Sequence, residues 1–206
     1  SDNFSARNCI QMKSVDPSEL KSFAGREAAL LEEAMRQDLD AGLAGCDLLL
    51  VEVLEYALFG GGKRIRPLLF ILSAGVCGVS GTYVYTLAAA FEYLHVATLI
   101  HDNALKRRGR ESVGHRYGTA AAILAGDWLH ARSMHLVGQI AGPEGLAVFC
   151  RSTTGMVDGE FLQLRHVADS DITEEQYFEI IHRKTALLIA STCEIGAIYG
   201  DGKAEQ

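Results

Sequence analysis

The sequence predicts an all-α fold. Runs rich in alanine, leucine, glutamate and glutamine dominate it, only three prolines interrupt it, and its strand signal is weak. With 206 residues and 49% hydrophobic side chains, the chain can bury a substantial core as one compact body. Nineteen basic against twenty-six acidic side chains give a net charge of −7, which argues against a general affinity for nucleic acid. No uninterrupted apolar run reaches the roughly 18 residues that a membrane span requires, and no signal peptide is evident. The five cysteines show neither a CxxC pair nor regular spacing, so they read as reduced core thiols, and a cytoplasmic protein is expected.

Residues 1–16 are polar and aperiodic and read as a loose arm, with 17–206 as a single helical domain. Asp16 is placed to cap the first helix, and Pro17 suits its first position because a proline there forfeits no hydrogen bond. A second helix over 46–59 stops at Gly60, Gly61 and Gly62. The third starts at "RPLLFILSAGVCG" and is so apolar that most of its sides must be buried. Further helices are expected over 83–102, 117–140 and 144–166. Thr173 and Gln176 fit a capping box opening a last helix that runs to about Tyr199. Seven helices with short connections make a bundle.

The cations are unevenly placed. Lys63, Arg64 and Arg66, with Lys106, Arg107, Arg108 and Arg110, put seven of nineteen into two short segments, which on an acidic protein suggests a small, highly charged anion held locally. The first segment follows glycines, which let backbone approach a ligand, and opens a helix, whose dipole favours anions. Its bland reading is a glycine helix stop followed by surface cations. In "FEYLHVATLIHD", His95 and Asp102 are seven apart, on one helix face about 10 Å from each other, with Thr98 between them. A lone histidine there reads equally as a core residue. An acid ending a buried helix, by contrast, needs a cation to meet. "GEFLQL" sets Glu160 and Gln163 one turn apart, and "RKTALL" carries Lys184 and Thr185 inside an apolar helix, where the lysine could also snorkel to the surface.

Together and in this order, "GGKRIRP", "HVATLIHD", "RRG", "GDWL", "GE..Q" and "KTA" resemble the polyprenyl synthase family, the trans-isoprenyl diphosphate synthases, and in particular its medium- and long-chain members; the likeness covers about Leu31 to Gln206. The resemblance implies an isoprenoid-synthase-type helical bundle around a central cavity, usually a homodimer. It implies a magnesium-dependent (Mg2+) transferase that condenses isopentenyl diphosphate with an allylic diphosphate. Lys63, Arg66, His95 and Arg108 would hold isopentenyl diphosphate. Arg107, Lys184, Gln163 and Thr185 would face the allylic diphosphate, with Asp102 as catalytic group and metal ligand. The small residues Ala97 and Thr98, five and four positions before the first aspartate, would leave room for a long product.

Two features depart from the family pattern. Where the family has Asp-Asp-x-x-Asp before Arg-Arg-Gly, "HD" here runs into "NALKRRG" several residues early, so Asp102 matches the first aspartate and the others have no counterpart. The chain also ends at "GDGKAEQ", before the family's second aspartate-rich motif, so the C-terminal part of the fold is expected to be absent. Missing loop and C-terminal residues are one explanation. A real deletion, in a noncatalytic subunit that pairs with an active synthase, is the other.

Overall fold

A computed structural model of the chain describes residues 16–102, 111–167 and 171–200. Its helices are α1 (Pro17–Gly42), α2 (Leu48–Leu58), α3 (Ile65–Val76), α4 (Thr82–His101), α5 (Val113–Tyr117), α6 (Thr119–Ile140), α7 (Gly142–Arg165), α8 (Glu174–Ile181) and α9 (Leu187–Tyr199). Among the described residues there is no strand, as expected of an all-α chain.

Local signals start these helices. The Asp16 carboxylate accepts from the Ser18 amide at 2.8 Å with Pro17 behind it, and Thr173 and Gln176 form the reciprocal capping box. Asp47 caps α2 in the same way through the Leu49 amide. Three details differ from the sequence expectation. The helix expected over 117–140 starts at Thr119, after Gly118, whose φ of 88° breaks the α-helical path, and the short α5 capped by Ser112 precedes it without having been expected. Arg64 caps α3 in a left-handed conformation that nothing local announces. The last expected helix is divided by a π-helical turn, His182–Ala186, between α8 and α9. The loose arm expected over 1–16 lies outside the described residues except for Asp16.

The bundle assembles around α4, which packs against α6, α3, α1 and α2. Its consecutive residues Ala88, Ala89 and Ala90 are all buried. Successive helical residues point in different directions, so only a helix covered all round buries three in a row. By length and composition α4 could span a membrane, but 67% of its apolar window is buried by the other helices, as in the core helix of a bundle.

Two ties fix α4 among its neighbours. Phe91 of α4 stacks on Phe70 of α3 at 5.5 Å and meets Phe149 of α7 edge-on at 5.9 Å. On another side, Arg132 of α6 donates to Asp38 of α1 from Nη2 at 2.6 Å and Nε at 3.1 Å, and the Tyr93 hydroxyl of α4 donates to Asp38 Oδ2 at 3.1 Å. Burial, then the Asp38 charge, pushes the Tyr93 phenol far above its ordinary value, so it remains a donor. Held this way, α4 carries Glu92, His95 and Thr98 along its length and Asp102 at its C-terminal cap.

Candidate functional site

At the middle of α4, the α2–α3 loop closes over a cavity of about 440 Å³ lined by Gly60, Gly61, Gly62, Lys63, Arg64, Ile65, Arg66, Glu92 and His95. Gly61 has φ 85°, a backbone conformation that disfavours a side chain, and the bare loop leaves the wall free for a ligand. The three cations of "GGKRIRP" take different roles. Lys63 is exposed at the mouth. Arg66 is half-buried, and its Nε is a buried donor with no acceptor among the described residues. Burial lowers the Arg66 pKa, against which the Glu92 charge acts. Arg64 turns inward: at 7% exposure it donates from Nη1 to Glu92 Oε1 at 2.5 Å and from Nη2 to the Leu58 carbonyl at 2.7 Å. The sequence grouped Arg64 with the anion-facing cations, and the structure corrects this, since a guanidinium committed to a buried acid is not available to a ligand.

His95 stands one turn beyond Glu92 on the same pocket wall and is half-buried. Thr98 donates to the His95 carbonyl at 2.8 Å. Ala97 is only 1% exposed and belongs to the core, so any channel past it would have to open by repacking.

The second cluster gathers at the C-terminal end of α4. Burial, and then the Glu160 charge, raises the Asp102 pKa, while Lys184 and His101 act in the opposite direction. Lys184 Nζ donates to Glu160 Oε2 at 2.8 Å and Gln163 Oε1 at 3.1 Å. Arg183 is paired with Glu179 at 2.5 Å and with Asp158. Thr185 is exposed beside them.

The π-turn presents Lys184 and Arg183 to α7, and Gly159 makes the approach possible. A Cβ there would lie 2.6 Å from the Lys184 backbone nitrogen and 2.9 Å from the Arg183 Cβ. The "GE" pair thus combines close backbone packing with the acid that receives the lysine.

"GDWL" has a related reason. His101 sits 3.2 Å from Asp127, and a Cβ on Gly126 would fall 2.3 Å from its Nε2, so this pair seats the histidine next to Asp102. Arg107 and Arg108, with Lys106 and Arg110, lie outside the described residues. Among the described residues no group of three or more His, Cys, Asp or Glu is placed to hold a metal by itself.

Glu92, Arg64 as its partner, and Glu160 as the Lys184 acceptor are the site residues that the sequence reading did not assign. A signal for the first existed: Glu92 is a lone acid inside "AAAFEYLHV", and a buried acid needs a cation.

An all-α bundle with charged clusters at two levels of its central helix is the class of structure defined so far. Residues 47–206 match the polyprenyl synthetase family, and the chain belongs to it. It is 32% identical to octaprenyl diphosphate synthase of Escherichia coli over 202 residues, covering 96% of this chain and 59% of that protein. It is 36% identical to an all-trans-nonaprenyl-diphosphate synthase (geranyl-diphosphate specific) of Rhodobacter capsulatus, covering 84% of this chain and 54% of that one. The crystal structure of a polyprenyl synthase from Caulobacter crescentus, complexed with calcium and isoprenyl diphosphate, superposes with a TM-score of 0.80 at 30% identity, covering 93% of this chain and 58% of that one. The chain therefore spans less than two thirds of the length of these relatives.

Proposed function

We propose that this chain carries the isopentenyl diphosphate half and part of the allylic half of a trans-polyprenyl diphosphate synthase, condensing isopentenyl diphosphate with an allylic diphosphate to lengthen it by one isoprene unit. The observation that carries the reading is the glycine-loop pocket, where, among the described residues, Lys63 stands uncommitted at the mouth and a buried Arg66 Nε lacks an acceptor. An orphaned buried donor is costly, and a phosphate oxygen would satisfy it. Lys63, Arg66 and His95 would bind and orient isopentenyl diphosphate, with Arg108 joining them.

At the other end of α4, Lys184 would leave Glu160 to meet the allylic diphosphate, aided by Gln163, Thr185 and Arg107. Charge accumulates on that diphosphate as it departs, so cations held around it stabilise the transition state more than the ground state. The apolar core below would exclude water from the electron-deficient allylic carbon.

Asp102, Glu160 and Gln163 are hard oxygen donors that suit magnesium, which commonly binds through one or two carboxylates together with substrate phosphates. Burial first, and then repulsion from Glu160, raises the Asp102 pKa, and a divalent cation would relieve both by giving the carboxylate a counter-charge. When bound, magnesium would polarise the departing diphosphate.

Homodimer assembly and a cytoplasmic location belong to the same proposal. Exposed Ile123 and Leu124 on α6 support the first, and free Cys46, Cys77, Cys150 and Cys193, suited to a reducing compartment, support the second. Light scattering of the purified chain tests the dimer.

Activity is tested by incubating the chain with magnesium, labelled isopentenyl diphosphate and allylic starters. Elongated products are expected, and calorimetry showing no isopentenyl diphosphate binding would overturn the reading. Product length would be set near Thr98 and Ala97. Because Ala97 is buried, Ala97→Tyr is expected to cost about 1–3 kcal/mol by overpacking. Thr98→Phe is the cleaner test: chromatography of dephosphorylated products should show shorter chains, and unchanged lengths would put the limiting wall elsewhere.

A further inference from the structure

Arg64 is the only non-glycine residue with a positive φ among the described residues, at φ 50° and ψ 37°. A side chain is rarely left in that region unless its surroundings hold it there. Here the guanidinium does the holding. It reaches Glu92 in the middle of α4 and the Leu58 carbonyl at the end of α2, so one buried side chain joins both helices to the loop. The cations that line the pocket, Lys63 one residue before it and Arg66 two residues after it, flank it in the chain. Glu92 lines the same pocket, three residues before His95.

We propose that Arg64 and Glu92 are a positioning pair for the pocket: their buried contact locks the loop in its left-handed turn, aims Lys63 and Arg66 at one diphosphate, and keeps the Glu92 charge from opposing that anion. The inference rests on the reading of the pocket as the isopentenyl diphosphate site. Arg64 does not touch the ligand. Both of its terminal nitrogens are engaged inside the protein, one on a carboxylate and one on a carbonyl. A lysine in its place would keep the charge but lacks the planar fork that serves two acceptors at once.

The alternative is a staple that contributes stability alone. The two differ in what happens to affinity while the protein is still folded. Isothermal titration of the 206-residue chain with isopentenyl diphosphate is therefore run well below each variant's melting temperature, with folding checked by circular dichroism. Arg64→Gln is expected to raise the Kd at least tenfold in the folded state. Arg64→Lys should fall between it and the parent. In Arg64→Gln with Glu92→Gln, part of the affinity should return, because the unpaired carboxylate has gone.

A folded Arg64→Gln with the parent's Kd overturns the proposal. Should that variant fail to fold, an unchanged Kd in Arg64→Lys overturns it instead. No recovery in the double variant overturns the charge-shielding half. Lys63→Ala serves as the control: if it does not weaken binding, the pocket reading itself fails and the inference falls with it. If Lys63→Ala weakens binding and the Arg64 variants do not, only the inference fails.

Discussion

The glycine-loop pocket and the Asp102 end of α4 are both rich in charge, yet they are balanced in opposite senses. At the loop, Glu92 is answered internally by Arg64, and Lys63 and Arg66 are left over. At the other end, Lys184 and Arg183 already have carboxylates, and Asp102 is the charge left over, with its pKa raised by burial and by Glu160. The first arrangement is prepared for an anion arriving alone. The second accepts an anion only after its acids are given a cation. On this proposal the difference separates a metal-independent isopentenyl site from a metal-dependent allylic one, only a few turns apart on the same helix.

The largest effect should come from emptying the first site. Lys63→Ala and Arg66→Ala are each expected to cost about 1.5–3 kcal/mol of isopentenyl diphosphate binding, the contribution of one charge-assisted hydrogen bond. Allylic binding in magnesium should change far less. Titration calorimetry with both ligands reads the contrast, and equal losses would erase the distinction between the two sites.

Next comes Gly159→Ala, which presses a methyl group into the backbone of the π-turn. Overpacking of this kind should cost about 1–3 kcal/mol of stability and displace Lys184, while leaving isopentenyl diphosphate binding intact. Thermal unfolding is the measurement. An unchanged melting temperature would mean that the turn can recede, and that the close contact is not what holds the lysine.

The smallest effect concerns Asp102. Because its pKa is raised above the ordinary 3.8, its contribution to stability is fully present below that value and is lost as pH rises through the raised one. Asp102→Asn should therefore melt slightly above the parent at neutral pH, with the difference vanishing in acid. Magnesium should raise the melting temperature of the parent and leave that of Asp102→Asn nearly unchanged. A magnesium response that survives the substitution would move the cation site away from Asp102.

Much of the fold was legible because its signals are local. Asp16 with Pro17, and Thr173 with Gln176, start their helices through contacts within one turn, and the apolar run of α3 announces its own burial. The candidate site was only partly legible. Lys63, Arg66 and His95 could be picked out only through the resemblance that their motifs carry, and the structure brings them to one cavity. Asp102, Gln163 and Lys184 could also be named, but the ion pair that occupies Lys184 depends on Glu160, 24 residues away in the chain.

Sequence by itself determined most of the helices, the caps at Asp16 and Thr173, the family and the inventory of charges, because these depend on residue type, on motifs and on neighbours a turn or so away. Tertiary structure alone decided which charges remain available. Arg64 and Glu92 are 28 residues apart, and nothing in "GGKRIRP" distinguishes the arginine that turns inward from the one whose Nε is left without a partner. The physical reason is burial: a charge inside the bundle must find its opposite before it can serve a ligand, and the partner is chosen by how the helices pack.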